Sequence, residues 1–362
     1  MLRKLVPGTP WWALTVPFAT AALLAVLYGR ALGAGSATVV AGALVAAVLV
    51  SVHHAEVVAH KVGEPFGTLL LALAVTVIEV SLIVSLMLTP GASSPELARD
   101  TVYATVMIVC NGVVGLCLLA GSIRHHVLAF RVEGTSPALS VLAALTTLTL
   151  VLPSYTLTTQ GPTFSPGQLA FAGVMSLTLY AVFVFVQAVR HRDYFLPVGP
   201  EDEEAHAPPP PTVVAWISVA LLLVSLVAVV GLAKTLAPNI QAAVAGMPAP
   251  GAVTGIAIAL LVLLPETGAA LRAALGNRMQ TSLNLALGSA LATIGLTIPA
   301  VGVASIALDL PLVLGLPAKE AILLALTLLI STVTLASGRA TVLQGAVHLV
   351  LFAVFLFLAA VP

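Results

Sequence analysis

Residues 68–88 read TLLLALAVTVIEVSLIVSLML, and residues 255–274 read GIAIALLVLLPETGAALRAA. Each run is apolar and long enough to cross a bilayer, and each carries a glutamate deep inside it, Glu79 and Glu266. Of the 14 acidic residues in the chain, these are the only two so placed. A carboxylate near the bilayer centre costs about 3 kcal/mol on insertion scales, so an apolar span keeps one only for a task. One glutamate in each half of the chain points to a shared polar site for a cation or protons.

The rest of the chain agrees with that setting. Its 362 residues are 60% hydrophobic and 8% charged, with a mean hydropathy of +1.13. Soluble surfaces carry far more charge, so the chain reads as a polytopic membrane protein with the lipid bilayer as its main partner. Its net charge of zero offers no basic patch to neutralise phosphates, which excludes nucleic acid as a partner. Cys110 and Cys117 are seven apart on one helix, about 10 Å by helical rise, too far for a disulfide.

Apolar runs of about 18 residues or more predict eleven spans. They cover residues 11–28, 36–55, 66–89, 101–121, 136–153, 167–189, 212–233, 251–275, 281–304, 314–337 and 340–361. Arg3 and Lys4 precede the first, which reads as a membrane span with Trp11 and Trp12 anchored at the interface. With the N-terminus cytoplasmic, ten Lys and Arg residues fall inside and four outside, and the C-terminus faces out. The expected location is the bacterial cytoplasmic membrane.

Residues 190–211, RHRDYFLPVGPEDEEAHAPPPP, form a polar, acidic and proline-rich cytoplasmic linker. It divides the chain into an N-terminal helix (1–35), a first five-helix repeat (36–189), the linker itself (190–211) and a second five-helix repeat (212–362). Five is odd, so the repeats take opposite membrane orientation, as in many secondary transporters. The fold class is therefore all-α, with about eleven transmembrane helices: one N-terminal helix and two inverted repeats.

Glu79 and Glu266 both lie on the second helix of their repeat. Glu79 is about 13 residues from the cytoplasmic start of its helix, and Glu266 is 12 residues before Arg278. At 1.5 Å per residue both are about 18–20 Å from the cytoplasmic side, near the midplane. Pro265 should kink its helix and free backbone carbonyls beside Glu266. Thr76 lies one turn before Glu79 on the same face, and the next helices carry Asn111 on one side and Asn284, Ser289 and Thr293 on the other. Intramembrane Ser and Thr hydroxyls commonly bond their own i−4 carbonyl, whereas a buried Asn needs a partner.

Carboxylate, amide, hydroxyl and backbone oxygens form a hard donor set, suited to Ca²⁺ or, less selectively, to Na⁺ or K⁺. No His or Cys accompanies these oxygens, which sets zinc and copper aside. Without the cation, two facing carboxylates in a low-dielectric site cannot both stay ionised. Cation binding and proton loss then compete for one pair of oxygens, which suffices for cation/proton exchange. No covalently bound cofactor is expected, only transported cations and H⁺.

The stretches 63–87, GEPFGTLLLALAVTVIEVSLIVSLM, and 264–299, LPETGAALRAALGNRMQTSLNLALGSALATIGLTIP, resemble the two α-repeats of ChaA-type bacterial Ca²⁺/H⁺ antiporters of the cation/Ca²⁺ exchanger superfamily. The resemblance covers both halves and the acidic linker. It implies that Glu79 and Glu266 are the paired central ion ligands, with Asn111 and Ser289 on neighbouring repeat helices and Glu64 toward the cytoplasmic vestibule. Relatives outside the ChaA group often carry Asn where this chain has Thr76, and the second site reads Leu-Leu-Pro-Glu, so fewer side-chain oxygens are on offer.

Two histidine clusters are separate from this site: His53, His54 and His60 with Glu56, and His125-His126 beside Arg124. Interfacial polar residues are the default for both, with metal binding or proton sensing the sharper reading of the first. The expectation is a secondary active transporter rather than an enzyme, exporting Ca²⁺ for H⁺ by alternating access. A K⁺ or Na⁺/H⁺ antiporter, a passive cation channel and an intramembrane enzyme are the alternatives.

Overall fold

A computed structural model describes residues 9–63, 66–88, 94–196, 210–244 and 250–361. Glu64 and linker residues 197–209, including the acidic run 201–204, lie outside them. Among the described residues eleven helices follow one another: α1 (Trp11–Leu27), α2 (Ala34–Val62), α3 (Phe66–Met87), α4 (Leu97–His125), α5 (Val132–Tyr155), α6 (Pro166–Arg190), α7 (Thr212–Val244), α8 (Pro250–Leu275), α9 (Met279–Leu308), α10 (Ala318–Leu335) and α11 (Val342–Ala360). Ten of them, α2 to α11, are long and apolar enough to cross a membrane. Helix α1 has 17 residues, about 25 Å by helical rise, slightly short of a bilayer core.

The helices form two compact units that cut across the repeats. The first holds α1, α2, α3 and α7. Within it α2 packs along α7, α3 and α1. Pro17 interrupts the hydrogen-bond ladder of α1, because it has no N–H to offer the Ala13 carbonyl. His54 of α2 supplies the missing donor, its Nε2 lying 2.9 Å from that carbonyl. His53 stacks at a tilt on Trp12, with ring centroids 4.9 Å apart. The histidine pair therefore docks α1, and among the described residues no three His, Cys, Asp or Glu side chains could together hold a metal. Replacing His54 with Leu would leave a buried carbonyl unsatisfied and should lower stability by about 1–3 kcal/mol, read from thermal melts in detergent.

The second unit holds α4, α5, α6 and α8 to α11. Here α4 packs against α8 and α11, α8 against α9, and α6 against the later half of α9. Two sets of loop contacts tie its ends. At one end, strand β1 (Leu128–Ala129), between α4 and α5, pairs antiparallel with β2 (Arg339–Ala340), between α10 and α11, in the register Leu128↔Ala340. At the other end, the loop after α9 bonds the end of α5 and the loop after it: Leu316 N–H donates to the Leu150 carbonyl at 2.7 Å and Gly315 N–H to Pro162 at 2.9 Å. In both places the loop after the third helix of one repeat meets that after the fourth helix of the other. This reciprocity is what inverted repeats require.

Candidate functional site

Thr76 and Glu79 lie in the first unit, and Glu266, Ser289 and Thr293 in the second. In the first, Glu79 sits in mid-α3 and is 1% exposed, among Ile78, Leu82 and Ile83, which are also buried. Thr76, one turn earlier, is buried and donates its hydroxyl to the Ala72 carbonyl at 2.8 Å. That is the i−4 bond expected of an intramembrane Thr, and it leaves the oxygen's lone pairs directed outward from the helix.

In the second unit, Glu266 is half-buried on α8, which continues α-helical through Pro265. Proline has no N–H for the Leu261 carbonyl, so this turn loses one ladder bond beside the glutamate. Thr267 bonds back to the Leu263 carbonyl at 2.7 Å. On α9, Ser289 is half-buried and Thr293 buried. They lie about 15 and 21 Å along the helix from Met279, which matches the depth of Glu266 along α8.

Asn284 lies at a different level, only about 8 Å into α9 by helical rise. Its Nδ2 donates to the Phe195 carbonyl at 2.6 Å and its Oδ1 accepts from Gln280 at 3.0 Å, while Gln280 Oε1 accepts from the Arg131 N–H at 2.7 Å. This amide chain clamps the ends of α5, α6 and α9 together.

Among the described residues four helices contain π-helical turns: α5 at Thr147–Val151, α6 at Val186–Arg190, and α4 and α9, the third of each repeat. The last two span Ile108–Val113 in α4 and Thr293–Thr297 in α9. Such turns cost hydrogen-bond geometry and occur often at functional sites. Asn111 lies in the α4 turn and Thr293 opens the α9 turn.

A sodium/calcium exchanger protein family model matches residues 31–189 and 217–361. The chain belongs to this family. The matched blocks contain the five helices of each repeat almost entire, and they leave out α1 and the whole linker. This exchanger is 47% identical over 361 residues to the putative ionic transporter y4hA of Sinorhizobium fredii, covering 98% of this chain and 97% of that one. It is 37% identical over 309 residues to the sodium-potassium/proton antiporter ChaA of Escherichia coli, covering 84% and 83%. Among solved structures, native YfkE superposes with a TM-score of 0.71 at 15% identity, over 97% of this chain and all of that one. The H⁺/Ca²⁺ exchanger CAX superposes at 0.64 and 15%, over 95% and 88%. At such identity these structures establish the fold alone, a cation exchanger fold with inverted repeats.

One sequence reading needs correction in this exchanger: a histidine does reach one of the candidate oxygens. His348 of α11 is fully buried and places Nδ1 3.2 Å from Asn111 Oδ1 and Nε2 3.2 Å from Thr334 Oγ1. The Asn111 Nδ2 donates to Thr327 Oγ1 at 2.8 Å, and that hydroxyl reaches Met107 Sδ at 3.5 Å. The chain of donors fixes the tautomer. An amide oxygen only accepts, so with Nδ2 directed at Thr327, Asn111 Oδ1 pairs with Nδ1–H of His348, and a neutral ring then accepts from Thr334 at Nε2. Asn111 is thereby held between α10 and α11.

An ionisable residue inside the span at 340–361 was the signal that should have marked His348. Of its two partners, Asn111 is 237 residues away on α4, while Thr334 is 14 residues away on the preceding helix. Substituting His348 with Phe should leave the Asn111 oxygen unsatisfied and destabilise the fold by about 1–3 kcal/mol in thermal melts, with partial recovery in His348→Gln, which keeps a donor.

Proposed function

We propose that this exchanger is a proton-coupled cation antiporter of the bacterial cytoplasmic membrane, moving Ca²⁺ outward in exchange for H⁺. Glu79 and Glu266 pair as its ion site. The observation that carries the reading is the placement of one glutamate in the middle of the second helix of each inverted repeat, both within apolar spans. Inverted repeats supply two half-sites of opposite polarity, and rocking of one helix group against the other would expose the joined site to each side in turn. Thr76, Ser289 and Thr293 would add hydroxyl oxygens at the same depth. The N-terminus faces the cytoplasm and the C-terminus faces out, as the distribution of Lys and Arg requires. Homologues in this family are transporters and exchangers, which supports transport over catalysis.

Na⁺ or K⁺ in place of Ca²⁺ is the second reading, and two observations favour it. The relative at 37% identity is a sodium-potassium/proton antiporter. In addition, Asn111 and Asn284 spend their amides within the protein, leaving fewer oxygens for an ion that takes six to eight.

Inverted membrane vesicles carrying a lumenal pH dye separate these readings. A Ca²⁺ pulse should release lumenal protons, with smaller responses to Na⁺ and K⁺ between pH 6 and 9. Proton release by Na⁺ or K⁺ alone would move the assignment to the second reading. Cation flux that leaves a preset proton gradient untouched would make the protein a channel.

A further inference from the structure

The second unit contains a cavity that the glutamate site does not use. It measures about 400 Å³ and lies where the N-terminal ends of α4, α8 and α10 meet the C-terminal end of α11, the end that the charge distribution places outside. Its polar lining is Glu96, Arg99, Asp100, Tyr103, Lys319 and Glu320.

Much of this charge is already paired. Arg99 bonds Asp100 Oδ1 at 2.8 Å and Lys319 bonds Glu320 Oε1 at 3.4 Å. Ser94 donates to Glu96 at 2.8 Å. The remaining groups are oxygens. Among the described residues Glu320 Oε2 is buried with no hydrogen-bond partner, and so is the hydroxyl of Tyr103, a residue 5% exposed whose ring lies edge-on to Phe355. Asp100 turns its other oxygen, Oδ2, toward Gly251, where a Cβ would come within 3.0 Å of it. Both Asp100 and Glu320 lie near enough to Tyr103 to act on it electrostatically.

We infer that this cavity is a second cation site, which holds a hydrated metal cation at the outer mouth of the exchanger. The counts of charge and space both bear on that form. Three carboxylates against two bases leave one excess negative charge among the lining groups. No three carboxylates among the described residues converge closely enough to grip a bare ion, so the cation keeps its water. The volume admits about a dozen waters at roughly 30 Å³ each, ample for a hydrated ion and the bridges from it to carboxylate and phenol oxygens. Such a site concentrates cations where they enter or leave, without the dehydration that the central glutamates demand. Only this use as a station for cargo rests on the antiporter reading; the binding itself does not.

The test uses the full-length protein in nanodiscs, carrying Glu79→Gln and Glu266→Gln so that the central pair is silent. Mn²⁺ is the probe: electron paramagnetic resonance counts bound ions, and water-proton relaxation reports whether they keep their water. One saturable, hydrated Mn²⁺ per chain is expected. Glu320→Gln should weaken it about tenfold, the scale of losing one charge near a divalent ion in a wet cavity. Tyr103→Phe should weaken it about threefold through the loss of one water-mediated contact. Absence of saturable binding overturns the proposal. Binding indifferent to both substitutions, with only the melting temperature changed, also overturns it and leaves the acids as partners of the helix N-termini. Proton-coupled exchange measured in the unsubstituted protein stands or falls independently of either result.

Discussion

Glu79→Gln and Glu266→Gln should each reduce proton-coupled exchange by about a hundredfold or more, while the protein still inserts and folds. The size follows from charge. A carboxylate that touches a divalent cation in a partly desolvated site contributes several kcal/mol, and a neutral amide of the same shape returns only a fraction of it. The amide also cannot carry the proton, so both directions of exchange fail together. Folding should survive because Gln matches Glu in volume, and because removing a buried ionisable group relieves about 3 kcal/mol of insertion penalty rather than adding one. The double variant should be no worse than either single one, as the proposed pairing of the two residues into one unit requires. Dye-monitored vesicle exchange alongside size-exclusion and thermal-melt profiles checks all three statements. Exchange retained in either single variant removes that residue from the ion site.

Gly345→Val should cause the largest loss of stability. A Cβ at Gly345 would stand 2.5 Å from the Leu119 backbone nitrogen, 2.8 Å from Leu119 Cα and 3.0 Å from the Gly115 carbonyl oxygen. All three are backbone atoms of α4, which cannot swing aside as a side-chain tip would. Gly115 faces the same seam, where its own Cβ would come within 2.9 Å of His348 Cβ. Helices α4 and α11 thus cross at small residues, the means by which membrane helices gain close contact without a hydrophobic driving force between them. Ordinary overpacking costs about 1–3 kcal/mol, and a clash with rigid backbone exceeds that range. Gly345→Ala should lower the melting temperature, and Gly345→Val should yield little monodisperse protein. Gly42 of α2 provides the contrast, because a Cβ there meets nothing within 4 Å, so Gly42→Ala should be neutral or mildly stabilising. An unchanged melt for Gly345→Val would refute the close crossing.

The legibility of the sequence differed from residue to residue. Thr76 and Thr267 behave as isolated helices dictate, each hydroxyl returning to a carbonyl four residues earlier, so a local rule sufficed. Asn111 and Asn284 were recognisable as buried amides needing partners, but their partners are 216 and 89 residues away along the chain. Depth counting in the sequence placed Glu79 and Glu266 alike, about 18–20 Å from the cytoplasmic side. Applied to α9, the same count would have separated Asn284, five residues before Ser289 and nine before Thr293. His54 looked like an interfacial polar residue until the carbonyl orphaned by Pro17 appeared 41 residues before it.

The sequence by itself determined the solvent, the number and order of helices, their inverted grouping and the two glutamates, because lipid imposes length and apolarity on every span and penalises any charge that breaks them. Only the tertiary structure decided which polar groups are spent on the protein's own architecture. It revealed the His348–Asn111 bond, the glycine seam of α4 and α11 and the cavity around Tyr103. Each of these depends on side chains from helices distant in sequence meeting at one depth, and periodicity along a single helix carries no record of what its neighbours present to it.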